Sequence, residues 1–229
     1  MTTPGLGIEV DWAPVDRPAR GDLRGGHVLL RPVSPGDADA LFEVARDPSI
    51  WTYLPYGPYV DADELRGRLT ATAGSDDPLF FAICPLPVEQ PQGVASYLRI
   101  EPQHGTIEIG HIWFGTPLQR STAATEAIFL LARHAFDDLG YRRLEWKCNA
   151  LNDRSRRAAE RFGFTFEGIF RNHQVVKGRN RDTAWYAITD EDWPAIRQAF
   201  EAWLAPANFD DTGRQRAPLS PPAPRALTS

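Results

Sequence analysis

Between His27 and Leu204 the sequence switches repeatedly between a hydrophobic period of two and a period of 3.6, and this alternation limits the folds open to it. The β-rich run His27–Val33 is followed by an amphipathic stretch from Ser34-Pro35 to Arg46, with Ala38, Leu41, Phe42 and Ala45 on one face and Pro35 at the first helical position. Asp61 caps a second helix reaching Ala73. Leu79–Cys84, Gly93–Glu101 and Thr106–Phe114 are strand-like. Thr125–Leu139 carries the strongest helical stripe (Ile128, Leu131, Ala135, Leu139) and stops at Gly140. Arg143–Cys148 reads as a strand, Asn152–Phe162 as a helix capped by Asn152 and ended by Gly163, Phe164–Val176 and Arg181–Thr189 as a strand pair, and Asp192–Leu204 as a closing helix. The order β-α-α-β-β-β-α-β-α-β-β-α predicts an α/β (α+β) domain: a mixed sheet flanked by helices.

The ends differ. Residues 1–26 are Pro- and Gly-rich, yet Ile8, Val10 and Trp12 alternate, as in an arm laid on a domain surface. Residues 205–229 contain Pro206, Pro218, Pro221, Pro222 and Pro224 and few large apolar side chains. That composition predicts a disordered tail.

Composition removes several classes of function. A formal net charge of −5 provides no basic field for nucleic acid. The longest apolar run, Ala127–Ala132, is too short for a membrane span. Neither a basic n-region nor an apolar h-region opens the sequence, so a cytoplasmic location is expected. Cys84 and Cys148 make no disulfide framework, and the five histidines show no metal spacing, so no metal is expected. Cys148 has no sequence-adjacent His to activate it and reads as a buried structural thiol.

The segment Thr106–Ala127, TIEIGHIWFGTPLQRSTAATEA, joins a strand to a long helix through small and polar residues. Unpaired N–H groups at a helix start attract anions, and small side chains let a phosphate approach the main chain. Taken alone, such a joint is more often explained by tight packing. Glu108 stands among strand hydrophobics, where burial would raise its pKa, or else faces solvent on an alternating strand.

Glu108-Ile109-Gly110 leads to Gln119-Arg-Ser-Thr-Ala-Ala-Thr125-Glu126-Ala127, then to Asn152-x-x-Ser155 and Gly163-Phe164, with Val175-Val-Lys-Gly-Arg-Asn-Arg-Asp182 as a final hairpin. This succession resembles the Gcn5-related N-acetyltransferase (GNAT) superfamily, in particular its ribosomal-protein N-terminal acetyltransferases, over residues 27–204. Thr122 and Ala124 replace two customary glycines, and Ala159 stands where many members have a tyrosine. The resemblance implies a mostly antiparallel sheet of about seven strands, splayed between the fourth and fifth.

The resemblance also implies acetyl-CoA (or another acyl-CoA) as co-substrate and direct transfer to a primary amine, of a peptide N-terminus or a small molecule. Its pyrophosphate would rest on Gln119, Arg120, Ser121, Thr122, Ala123, Ala124 and Thr125. The pantetheine arm would run along Ile112, Trp113 and Phe114. For Asn152, holding pantetheine and capping its helix are both open. Glu108 is the candidate base, and Ser155 either the acid that protonates the departing thiolate or a helix-start serine without such a role. The aromatic stretch Trp51–Tyr59 and the closing hairpin offer Trp51, Tyr53, Tyr56, Arg171, His173 and Lys177 to the acceptor. A homodimer is an open expectation, and a non-catalytic acyl-CoA or peptide binder is the alternative function.

Overall fold

A computed structural model describes residue 7 and residues 9–222. Ile8 of the N-terminal alternation and the last part of the tail, residues 223–229, lie outside the described residues. One sheet of eight strands runs in the order β1-β2-β3-β4-β5-β6-β8-β7. Its strands are β1 (Leu23–Arg24), β2 (Val28–Pro32), β3 (Leu79–Pro85), β4 (Gly93–Glu101), β5 (Thr106–Phe114), β6 (Arg143–Asn149), β7 (Thr165–Val176) and β8 (Arg179–Thr189). The eighth strand, beyond the seven expected, is the two-residue β1. It pairs with β2 because the tight turn at Gly25-Gly26 folds the chain back.

The helices are α1 (Ala38–Val44), α2 (Ala62–Ala73), α3 (Thr122–Arg133), α4 (Asp153–Arg161) and α5 (Trp193–Leu204). Caps appear as the sequence predicts: Asp61 accepts the Glu64 N–H and Asn152 accepts the Ser155 N–H. Helix α3 begins three residues earlier than expected, since Ser121 rather than Ala124 caps it, and it leaves α geometry at His134–Asp138 in a π turn. Two core clusters lie on opposite faces of the sheet. Helix α3, α4 and α5 side chains pack with Ile107, Ile109, Leu144 and Trp146. Leu41, Leu65 and Leu69 of α1 and α2 pack on the other face with Leu29, Phe80, Ala82 and Trp113. Burying these side chains contributes about 1.5–3 kcal/mol apiece.

All neighbouring strands are antiparallel except β5 and β6, which run parallel. They pair only from Thr106/Arg143 to Ile109/Trp146. Beyond that point β5 continues to Phe114 and β6 to Asn149 without each other. This is the expected splay, and it leaves main-chain donors and acceptors of β5 unpaired on that edge.

The Pro-rich segment after Ala205 is not structureless as far as it is described. Leu219 is buried in the core, Phe209 packs edge-on against Trp203 at 5.4 Å, and Gln215 accepts the Trp203 indole N–H at 2.9 Å. Two apolar anchors and the bracketing bonds of Asn208 suffice to dock a segment whose composition reads as disordered. At the other end, Trp12 donates to the Gln103 carbonyl, so the arm lies against the β4–β5 turn.

Candidate active site

The sheet opening separates two chemically different walls. One is the α3 side. The Gln119 amide donates to the Phe114 carbonyl at 3.0 Å and ties the loop back to the end of β5. Arg120 takes φ +61°, a left-handed turn that brings Ser121 into the cap position. The Ser121 hydroxyl accepts the Ala124 N–H and donates to the Leu118 carbonyl. The N–H groups of Ser121 and Thr125 are also bonded within the loop. The Gln119 N–H is bonded as well, so among the described residues the N–H groups of Arg120, Thr122 and Ala123 are unpartnered, three of the seven residues named for the pyrophosphate. Arg161 of α4 donates to the Thr125 hydroxyl at 3.2 Å and lies over the Phe162 and Trp203 rings. It has no carboxylate partner among the described residues, and burial lowers its pKa. A cation next to the start of α3 adds to the partial positive charge there. The sequence shows Arg161 only as part of Arg161-Phe-Gly-Phe and gives no sign of this position.

Ser155 stands on the same wall. Its hydroxyl accepts the Trp146 indole N–H at 3.0 Å. Cys148, beside it, is a buried thiol whose pKa is raised by burial, with the Ser155 hydrogen bond opposing. Ala159, in the place of the customary tyrosine, is fully buried and has nothing to offer the opening.

The other wall is built around Glu108. Along β6, Leu144, Trp146 and Cys148 face α3–α5, so Glu145 and Lys147 face away, and Glu108 is on their side. Glu108 is 4% exposed, which excludes the solvent-facing reading. Lys147 Nζ lies 3.0 Å and Arg99 2.9 Å from its carboxylate. Burial raises the Glu108 pKa and outweighs the pull of Lys147 and Arg99. Lys147 also holds Glu145 at 2.6 Å and lies 3.8 Å above the Trp185 ring, a cation–π contact.

Two β-bulges in the β4–β5 pair shape this wall. Arg99 and His111 each take positive φ at one of them, 49° and 51°. The first bulge is held by Asp77, whose carboxylate accepts the Arg99 and Ile100 N–H groups. His111 stacks on Tyr56 at 5.7 Å, and its Nδ1 is 3.3 Å from the Tyr56 hydroxyl. Burial first, then Arg68, Arg99 and Arg181, press the His111 pKa down to about 4.

The acceptor-side candidates divide. Tyr56 sits in the wall, with the Arg68 guanidinium 4.8 Å over its ring. Tyr53 donates to the Leu151 carbonyl and bridges to the start of α4. Trp51 is 2% exposed: its ring packs on Trp113 and Tyr59, its indole N–H donates to the Ala45 carbonyl, and Lys177 donates to the Trp51 carbonyl. His173 lies beside Trp185 and bonds Thr183. Arg171 is exposed near Asp182 and makes no ion pair among the described residues. Arg181 takes the inward position instead, in β8 on the face of Thr183 and Trp185.

Ile112 and Phe114 pack toward α3, while Trp113 is buried on the opposite face, so the unpaired edge of β5 offers its backbone rather than its side chains. A surface cleft of about 390 Å³ lined by His104, Thr106, Arg142 and Asp190 lies at the opposite, N-terminal ends of β5 and β6 and contains none of these groups.

A parallel strand pair that parts beside a helix start, with a buried glutamate held between two cations on one side, is a framework suited to group transfer. The family described as acetyltransferase (GNAT) domain matches residues 27–165, and the chain belongs to this family of acetyltransferases. A solved GCN5-related N-acetyltransferase from Brucella melitensis is 46% identical, with a TM-score of 0.89 over 91% of this chain and 96% of that one. The ribosomal-protein-serine acetyltransferase of Escherichia coli (strain K12) is 33% identical over 95 residues, 42% of this chain and 52% of its own. A microcin C7 self-immunity acetyltransferase, solved in complex with acetyl-CoA and AMP, has a TM-score of 0.64 at 21% identity, over 72% of this chain and 93% of that one, a likeness of fold.

Proposed function

We propose that this acetyltransferase moves an acetyl group from acetyl-CoA to a primary amine by direct attack in a ternary complex. What supports the reading is that Glu108 and Ser155 lie on opposite faces of the sheet, on or beside the strand pair β5 and β6 that parts beyond Ile109 and Trp146. The amine enters from the Glu108 wall and the thioester from the α3 wall. The free N–H groups of Arg120, Thr122 and Ala123, with Arg161 near them, suit the pyrophosphate. The unpaired edge of β5 suits the pantetheine amides as an added strand, and the Asn152 side-chain NH₂, free beyond its capping role, suits a pantetheine carbonyl.

In the reaction the amine nitrogen bonds to the thioester carbon and the carbon–sulfur bond breaks. Glu108 takes the proton lost by the amine, directly or through water, and a carboxylate of raised pKa is a better base than an ordinary one. Ser155 gives its proton to the departing sulfur; Trp146 occupies a lone pair of its oxygen, and the O–H turns from Cys148 to the thiolate to donate. A β5 main-chain N–H near Trp113 or Phe114 stabilises the oxyanion. The test is thiol release from acetyl-CoA with a panel of amines. Release that depends on the amine, with no acetylated protein formed first, is expected; CoA binding without release under any amine contradicts the reading.

A further inference from the structure

Among the described residues, the buried donors without a partner include the Arg181 Nε–H and the Trp185 indole N–H. Both belong to β8, at same-face positions either side of Thr183. The face they share is the one carrying Lys147, which lies on the Trp185 ring. Buried donors without acceptors are uncommon in folded proteins and call for a reason.

The charges point the same way. Glu108 is held by Arg99 and Lys147, and Glu145 by Lys147 and Arg143. Arg68 and Arg181 therefore have no carboxylate partner among the described residues. Arg68 lies over Tyr56, and Arg181 bonds only the neutral side chain of Gln174. Arg68, Arg99 and Arg181 all act on His111, which places their charges around one spot on this wall. Arg181 is half-buried; burial lowers its pKa, Cys148 and Glu108 act against this from a distance, and no carboxylate among the described residues reaches ion-pair contact with it.

We propose that this wall reads an anionic group on the acceptor, with Arg181 as the residue that binds it, so that the substrate is an amine carrying a carboxylate or a phosphate. The inference rests on the acetyl-transfer reading and narrows its substrate class. An arginine supplies paired donors in a fixed fork suited to either oxyanion, and the Trp185 N–H adds one more on the same face. The anion would restore charge balance at the wall while the amine reaches Glu108.

The experiment compares matched amines in thiol release: amino carboxylates against their amides, and phosphoethanolamine against ethanolamine. The wild-type protein should favour the anionic member by about tenfold or more in kcat/KM, the value of one charge-assisted hydrogen bond. Which pair shows the larger ratio separates carboxylate from phosphate. Arg181→Gln should bring the ratio close to one, and Arg181→Lys should retain part of it. Arg197→Gln, which alters an exposed arginine of α5, should leave the ratio as it was. Calorimetric CoA affinity verifies that each variant is folded.

Calorimetry with N-acetylated acids and their amides gives a second readout that needs no turnover. Turnover without anionic preference overturns the inference and leaves acetyl transfer standing. Anionic preference in binding, lost in Arg181→Gln, with no amine turned over, supports the anion site and removes the transferase reading. Neither turnover nor preference overturns both.

Discussion

Lys147 Nζ lies 3.0 Å from the Glu108 carboxylate, with both side chains 5% exposed, so the ammonium acts on the carboxylate with little water between them. Burial favours the protonated carboxyl and the ammonium opposes it; the net result is a pKa above the ordinary glutamate value. Lys147→Met removes the opposing charge. Because activity needs the ionised carboxylate, the acid limb of the kcat/KM–pH profile should move to higher pH in this variant. A limb that stays in place would show that Lys147 does not set the Glu108 charge.

His111 gives the fold its own pH dependence. Its pKa is pressed from 6.5 to about 4 by burial and by three arginines. A depressed histidine contributes stability that is complete above pH 6.5 and lost as the pH falls toward 4, because the unfolded chain takes the proton first. The loss is on the order of 3 kcal/mol across that window. Urea titrations from pH 7.5 to 4 should show it, and His111→Asn should flatten that part of the curve. An equal decline in both proteins would place the acid sensitivity elsewhere.

The C-terminal segment is held by Leu219, 6% exposed and part of the core. Leu219→Ala should cost about 2 kcal/mol or more, since such truncations leave a cavity. For a chain of this size that lowers Tm by roughly 4–8 °C. Differential scanning calorimetry that finds no change would mean the segment is not docked in solution.

On the donor side, Ala123 is one of three residues at the start of α3 with a free N–H group. Ala123→Asp would set a carboxylate against the incoming pyrophosphate and should weaken CoA binding by about tenfold or more, a loss measured by calorimetry. Unchanged affinity in the folded variant would remove the phosphate-loop assignment.

Much of this architecture is legible in the sequence. Asp61 and Asn152 cap the helices they precede, and a hairpin joins the last two strands as expected, though Lys177-Gly178, with φ 48° and 71°, turns it in two residues where the sequence suggests four. What escapes is set by register and by bulges. Arg143, Glu145 and Lys147 alternate with Leu144, Trp146 and Cys148, which reads as an ordinary solvated face until β5 is laid in parallel and brings Glu108 opposite Glu145. Arg99 and His111 are aimed by bulges that no periodicity reports. The extra residues opposed between Phe170 and Gln174 on β7 fix which hairpin arginine turns inward, so Arg181 rather than Arg171 reaches the wall. Leu219 escapes for the opposite reason: it sits in a segment whose composition suggests exposure, and long-range packing buries it.

The most direct test of the two-wall account is a pH–rate series on Glu108→Gln and Ser155→Ala, each verified to be folded and to bind CoA. If Glu108 removes the amine proton, Glu108→Gln should lower kcat on the order of 10²-fold at pH 7, with the deficit shrinking as pH rises and free amine becomes abundant. Ser155→Ala should lower kcat by a factor that changes little with pH near neutrality, because a hydroxyl does not titrate there. Wild-type kcat from Glu108→Gln at pH 7 would contradict the assignment of Glu108 as base.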